Sequence, residues 1–215
     1  SPVLSAPAVA TAEADFTVKI DAALPVPYST YYYQFECRIH GELYLSPIGR
    51  TKTAPEATAV PSDNRLRFGI VSCSSYAHGY FNAYRQLAQR QDLDFVLHLG
   101  DYIYEYPDND YGSVRGYEPP HEIVTLDDYR TRFAYYRLDP DLAELHRQYA
   151  IINTWDDHEF TDNTYHCDAN NHTTPEEDPV NNEGLWADRW PQAVRAYNEW
   201  LPIRVDDPSR PDKIY

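Results

Sequence analysis

Three short apolar runs, at residues 66–72, 94–99 and 150–155, each end on polar residues able to do chemistry. The first leads to Cys73, the second to Gly100 and Asp101, and the third to Asp156, Asp157 and His158. Each run is rich in Val, Ile and Phe and has strand length, which predicts burial on both faces of a mostly parallel sheet. Between the first two runs, Phe81, Tyr84, Leu87 and Ala88 share one stripe of a helix predicted over about residues 79–91. In open α/β sheets, ligands bind beyond the carboxyl ends of the strands. The pattern therefore predicts that Cys73, Asp101, Tyr104, Asp157 and His158 converge on one sheet edge.

The flanking segments read differently. Residues 1–55 predict β structure: residues 15–20 alternate, and residues 30–37 form a longer aromatic strand. Tyr32 follows a Pro-containing bend at residues 24–30, an arrangement similar to the tyrosine corner of immunoglobulin-like and fibronectin III sandwiches. About four strands are recognisable where a sandwich needs about seven, so the expectation is a partial sandwich. Residues 56–64 predict a linker, and residues 65–215 a second domain. Residues 105–124 lack periodicity and read as an exposed loop. Thr125, with Asp128 three residues on, predicts a helix start. That helix runs to about Gln148 with a break at Asp139-Pro140. A polar stretch at 162–183 precedes an amphipathic helix at 186–200 carrying Trp186, Trp190, Val194, Tyr197 and Trp200. Lys213-Ile214-Tyr215 reads as the start of another strand, so both ends interrupt a pattern and a fragment is expected.

Composition narrows the function. Hydrophobic residues make up 42% of 215, enough for a packed core, and 20 tyrosines make that core aromatic. Lys and Arg number 18 against 34 Asp and Glu, a net charge of −16. This opposes binding to nucleic acid or to an anionic membrane surface. It remains compatible with a phosphate substrate if bound cations reverse the local field. No apolar run is long enough to span a bilayer. Cys37, Cys73 and Cys167 are widely separated, which argues against a structural zinc site; a Cys37–Cys167 disulfide remains open.

The strand-end residues suit metal chemistry. Asp101, after a turn-forming Gly100, can bridge two cations, and Tyr104 can return to the same place as a phenolate. A buried Asp capping a loop amid core tyrosines satisfies the same pattern. Asp156, Asp157 and His158 are costly to bury unless paired or metal-bound. His158 can act as a ligand or as a general acid; an acidic surface turn is the plain alternative. Cys73 reads as a core thiol, a nucleophile or a metal thiolate. Two other functions are consistent with these residues: a hydrolase with Cys73 as nucleophile, and a non-catalytic calcium-binding or adhesion module. His98 reads as a hydrogen-bonded core histidine. Asn171-His172-Thr173 matches a glycosylation sequon.

Ser72-Cys73, His98 to Glu105, Thr154 to Glu159, Thr125 to Arg130, Glu199 to Arg204 and Arg50 to Pro55 together resemble the PhoD-type alkaline phosphatases of the calcineurin-like metallophosphoesterase superfamily. The resemblance implies the amino-terminal part of a four-layer αββα catalytic domain behind an amino-terminal sandwich. It implies hydrolysis of phosphomonoesters or phosphodiesters by a metal-bound hydroxide, outside the cytoplasm as a secreted or periplasmic enzyme, with Fe3+ and Ca2+. On that basis Cys73 and Tyr104 would bind the ferric ion, Asp101 would bridge the metals, and Asp157 would bind the second cation. Asn163 would be a further ligand, and His158 would contact phosphate and the leaving oxygen. The superfamily draws more His and Asp ligands from its carboxyl half. The expectation is that the chain needs that half as a partner and is inactive alone.

Overall fold

A computed structural model describes residues 3–58, 65–165, 168–205, 209, 210 and 212. Cys167, most of the expected linker and the expected strand at 213–215 lie outside them. The amino-terminal region contributes two antiparallel pairs. Strand β1 (Thr30–Tyr33) pairs with β4 (Gly49–Lys52), and β2 (Glu36–Ile39) pairs with β3 (Glu42–Leu45). His40 and Gly41 join β2 to β3, both at positive φ (50° and 89°), the backbone that a tight two-residue hairpin turn demands. The single strand expected over 30–37 is thus divided at Gln34-Phe35 between two sheets. The hydroxyl that reaches back to the bend is that of Tyr31, not Tyr32: Tyr31 Oη accepts from the Val26 amide at 2.9 Å, whereas Tyr32 is 71% exposed.

Residues 15–20 form no strand. They lie instead along a carboxyl-terminal helix, α4 (Trp186–Trp200). Trp200 Nε1 donates to Asp15, and Lys19 Nζ donates to the carbonyls of Asn198 and Ile203. Alternation selects a strand only when a partner edge is present to pair with it, and here the neighbour is a helix end.

The second region has β5 (Phe68–Val71), α1 (Asn82–Gln89), β6 (Phe95–His98), α2 (Leu126–Arg137), α3 (Pro140–Gln148) and β7 (Ile151–Asn153), followed by α4. The three strands form one parallel sheet in the order β5-β6-β7, with Val71 opposite His98 and His98 opposite Asn153. Helix α1 packs on α3, and α2 packs on α4. Thr125 and Asp128 close a reciprocal capping box on α2. Asp139 caps α3, with Pro140 at its first turn, which is why the expected helix breaks there.

Among the described residues, only one face of this sheet is covered. Val96 is fully buried and Ile151 nearly so, while Phe68, Ile70, Leu99 and Ile152 are 42–60% exposed. The expectation of burial on both faces fails because the described helices shield only the Gly69–Val96–Ile151 side. Each such apolar side chain left in water forgoes part of about 1.5–3 kcal/mol.

The loop at 105–124 is irregular, as expected, but not simply exposed. Glu105, Tyr117 and Ile123 are buried around the fully buried Arg132 of α2. Its guanidinium donates to the carbonyls of Tyr104, Tyr106, Glu118, Pro119 and His121 and lies 4.1 Å from the Tyr117 ring centre. One planar cation gives this loop the interior that its sequence lacks.

Candidate active site

The parallel ladder continues past the strand ends and draws three loops together. The amides of Cys73 and Ser74 donate to the carbonyls of Gly100 and Asp101 at 3.1 and 2.8 Å, and the Thr154 amide donates to His98 at 3.0 Å. Gly100 has φ +104°, and a Cβ there would lie 2.5 Å from both Cβ and N of Asp156. Only glycine allows the second and third loops to approach this closely. Cys73, Asp101 and Asn163 all occupy the left-handed region, with φ of 59°, 53° and 54°. Such strain costs on the order of 1–3 kcal/mol per residue and clusters at functional sites.

Glu159 ties two of the loops. Fully buried, it accepts from the amides of Asp101, Tyr102 and Asp156 at 3.1, 2.6 and 2.8 Å. Burial raises its pKa to about 7, against the pull of those amides.

At the centre, Asp101, Asp157 and His158 each offer a ligand atom, all within 4.8 Å of one another. Asp101 is 6% exposed, and its Oδ1 is buried with no hydrogen-bond partner among the described residues. Its Oδ2 accepts from the Tyr104 hydroxyl at 3.4 Å, and the Tyr104 ring stacks on His158 with centroids 4.2 Å apart. Burial pushes the Asp101 carboxyl up; His158 and the Cys73 thiol pull it down, while Asp157 and Asp156 push it further up. The Tyr104 phenol is also raised, by burial first and then by the Asp101 charge. Converging acids with an orphaned oxygen fit a cation and fit its absence poorly.

The other expected residues are close by. Cys73 is a free, exposed thiol outside the tight three-residue group, near enough to influence the ionisation of both Asp101 and Tyr104. Asn163 donates its backbone amide to Asp157, and its side chain donates to Asp162 at 2.9 Å. Asp156, Asp157, Asn163, Thr164, Tyr165 and Asn170 line a shallow polar depression. His98 is a core histidine, with Nε2 2.9 Å from the Ser74 hydroxyl and 3.2 Å from that of Tyr84.

Sequence reading assigned no role to Glu105, although it directly follows Tyr104. Glu105 is wholly buried and accepts from His158 Nδ1 at 2.7 Å, the Asp162 amide at 2.7 Å, Asn171 Nδ2 at 3.0 Å and the Thr161 hydroxyl at 3.2 Å. Asn171 is braced in turn: its carbonyl accepts from the buried Arg189, which also holds Glu122. The amide of the expected sequon is therefore engaged internally. Burial opposes charge on His158, but the hydrogen bond and charge of Glu105, with Asp157 and Asp101, outweigh it and raise the imidazole pKa to about 9. A lone Glu after aromatic residues was the only available signal. Its partners lie more than fifty residues away.

The geometry agrees with what the chain is similar to. Residues 68–215 match the family model described as PhoD-like phosphatase, and residues 1–55 match that of the PhoD-like phosphatase N-terminal domain. The chain is 38% identical over 201 residues to "Alkaline phosphatase D" of Bacillus subtilis (strain 168), covering 91% of this chain and 32% of that protein. A solved structure titled "Structure of PhoD" superposes with a TM-score of 0.69 at 39% identity, over 83% of this chain and 32% of the other. The chain thus spans about a third of the length of the relatives it matches. The mixed α/β fold resembles that structure, and the chain belongs to the PhoD-like phosphatase family.

Proposed function

We propose that this chain supplies part of the active site of a metal-dependent phosphoesterase acting on phosphomonoesters or phosphodiesters. The observation that carries the reading is the buried, unpartnered Asp101 Oδ1, set within a group that includes Asp157 and His158. Cys73, Asp101 and Tyr104 would hold a ferric ion, and Asp101, Asp157 and Asn163 a second cation such as Ca2+. Bound there, the cations would supply the Lewis acidity that activates water and neutralises charge on a phosphoryl group. That local reversal of field accounts for anion binding by a protein of net charge −16.

The residues themselves do the rest. Glu105 fixes His158 through Nδ1 and leaves Nε2 as the atom that donates a proton to the leaving oxygen. Glu159 holds the Asp101 and Asp156 loops in register. Gly100 lets those loops meet.

Three further parts belong to the same reading. Residues 1–55 form a partial sandwich, 56–64 a linker, and 65–215 the first part of the catalytic domain. The bare Phe68–Ile70–Ile152 face packs against a second sheet from the carboxyl-terminal half, which completes four layers and adds ligands. The enzyme works outside the cytoplasm, secreted or periplasmic, as the resemblance implies; among the described residues no helix is long and apolar enough to cross a membrane.

The test is metal content together with the visible spectrum of the chain, alone and co-expressed with the carboxyl-terminal part of its relative. Stoichiometric iron with a charge-transfer band that shifts in Cys73→Ser and Tyr104→Phe is expected. Chelator-sensitive phosphatase activity should accompany it in the co-expressed protein. Absence of iron, together with turnover that chelators leave untouched, would sink the proposal.

A further inference from the structure

An aromatic ledge runs from the reacting histidine to solvent. Tyr104 stacks on His158, and Tyr111 stacks on Tyr104, with centroids 5.7 Å apart and planes 15° from parallel. Tyr111 also faces His158, at 6.4 Å and 25°, and lies 4.8 Å from Tyr106. His78 meets Tyr111 edge-on at 4.7 Å. Tyr111 is the outer member, 42% exposed.

Exposed tyrosines are common and need no explanation alone. This one is held in place. The next residue, Gly112, has φ +91° and passes so near Ala77 that a Cβ would lie 2.9 Å from its carbonyl oxygen. The Val114 amide donates to that same carbonyl at 2.8 Å, and the Asp108 amide donates to Pro120 at 2.9 Å. A ring pinned on both sides loses little freedom on binding, which is what a recognition surface needs.

We propose that Tyr111 is a specificity determinant that selects phosphoesters whose leaving alcohol carries a planar aromatic ring. The inference rests on the phosphoesterase reading and deepens it. With the phosphoryl group at the Asp101–Asp157 cluster and His158 Nε2 turned to the leaving oxygen, the remainder of the alcohol extends beside His158. Beside His158 the partly buried Tyr106 ring lies 5.6 Å away and the Tyr111 ring 6.4 Å away, and Tyr111 is the exposed one of the two. An offset stack on such a ring raises affinity about twofold to tenfold beyond simple burial. A saturated ring of equal size gains the burial but not the stack.

The experiment compares binding of phenylphosphonate and cyclohexylphosphonate, which are not hydrolysed, by calorimetry to the metal-loaded chain co-expressed with the carboxyl-terminal part of its relative. The proteins are the parent, Tyr111→Phe and Tyr111→Leu. A severalfold preference for phenyl that survives in Tyr111→Phe and disappears in Tyr111→Leu is expected. Where turnover is measurable, the benzyl to cyclohexylmethyl phosphate ratio of kcat/KM should change in the same way. Equal binding of the two phosphonates, or a preference that Tyr111→Leu retains, would overturn the ledge while leaving the phosphoesterase reading intact. Failure to bind either phosphonate would overturn both.

Discussion

His158 Nδ1 and Glu105 Oε2 lie 2.7 Å apart, and the carboxylate has no solvent exposure. A buried carboxylate with several donors is a rigid support, so it sets both the orientation and the charge of the imidazole. Glu105→Gln should return the His158 pKa from about 9 toward its ordinary 6.5. Because the folded value lies above the unfolded one, this interaction stabilises the fold fully below pH 6.5 and ceases to do so as pH rises through about 9. The variant should therefore lose about 1.5–3 kcal/mol at neutral or lower pH and much less in alkali. Imidazole titration by NMR in the metal-free chain checks the first claim; urea unfolding at several pH values checks the second. An unmoved titration would show that Glu105 is not the cause.

Two other histidines act with the opposite sign. Burial lowers the pKa of His98 to about 4. Burial also lowers His146, helped by the adjacent Arg137 charge. The unfolded chain binds protons at these sites below about 6.5 and the folded chain does not, so stability should fall as pH drops from 6.5 toward 4. Replacing His98 by Gln should flatten that slope in denaturant titrations. A parallel slope in the variant would remove His98 from the account.

Gly100→Ala should cost about 2–4 kcal/mol, from the clash with Asp156 and the left-handed backbone together. It should also weaken metal binding, because the Asp156–His158 loop must retreat from Asp101. Thermal unfolding and a metal titration read the two effects separately. Lost stability with unchanged metal affinity would mean that the loops are not coupled.

Arg132→Lys tests the loop that carries Tyr104 to Tyr111. An ammonium has three donors against the five carbonyls now served. At least about 2 kcal/mol should be lost, with a weaker near-ultraviolet signal from the aromatic stack. Retained signal and stability would show that the loop holds itself.

The bare sheet face supplies a contrast between two neighbouring strands. Ile70→Thr should change the stability of this chain by less than about 0.5 kcal/mol. Val96→Ala, on the covered face, should cost about 2 kcal/mol. Comparable losses at both positions would mean that the Ile70 face is already buried in solution.

Local pattern alone determined the β-α-β order, the helix stripe of Phe81, Tyr84 and Ala88, the cap at Thr125, the helix break at Asp139-Pro140, and the helix at 186–200. Each depends on residues within a few positions of one another. The strand-end motifs also placed Asp101, Asp157 and His158 on one edge, because a parallel sheet sends all its carboxyl ends to the same side. Tertiary structure decided everything that required a distant partner. Residues 15–20 alternate like a strand yet lie on α4, and Thr30 to Cys37 splits because two different edges compete for it. Arg132 reads as one more helix cation until five loop carbonyls converge on it. Glu105 reads as a stray acid until His158, Asp162 and Asn171 donate to it. Periodicity reports which face of an element is apolar, but the energy of a buried charge depends on atoms that the chain brings together only after it has folded.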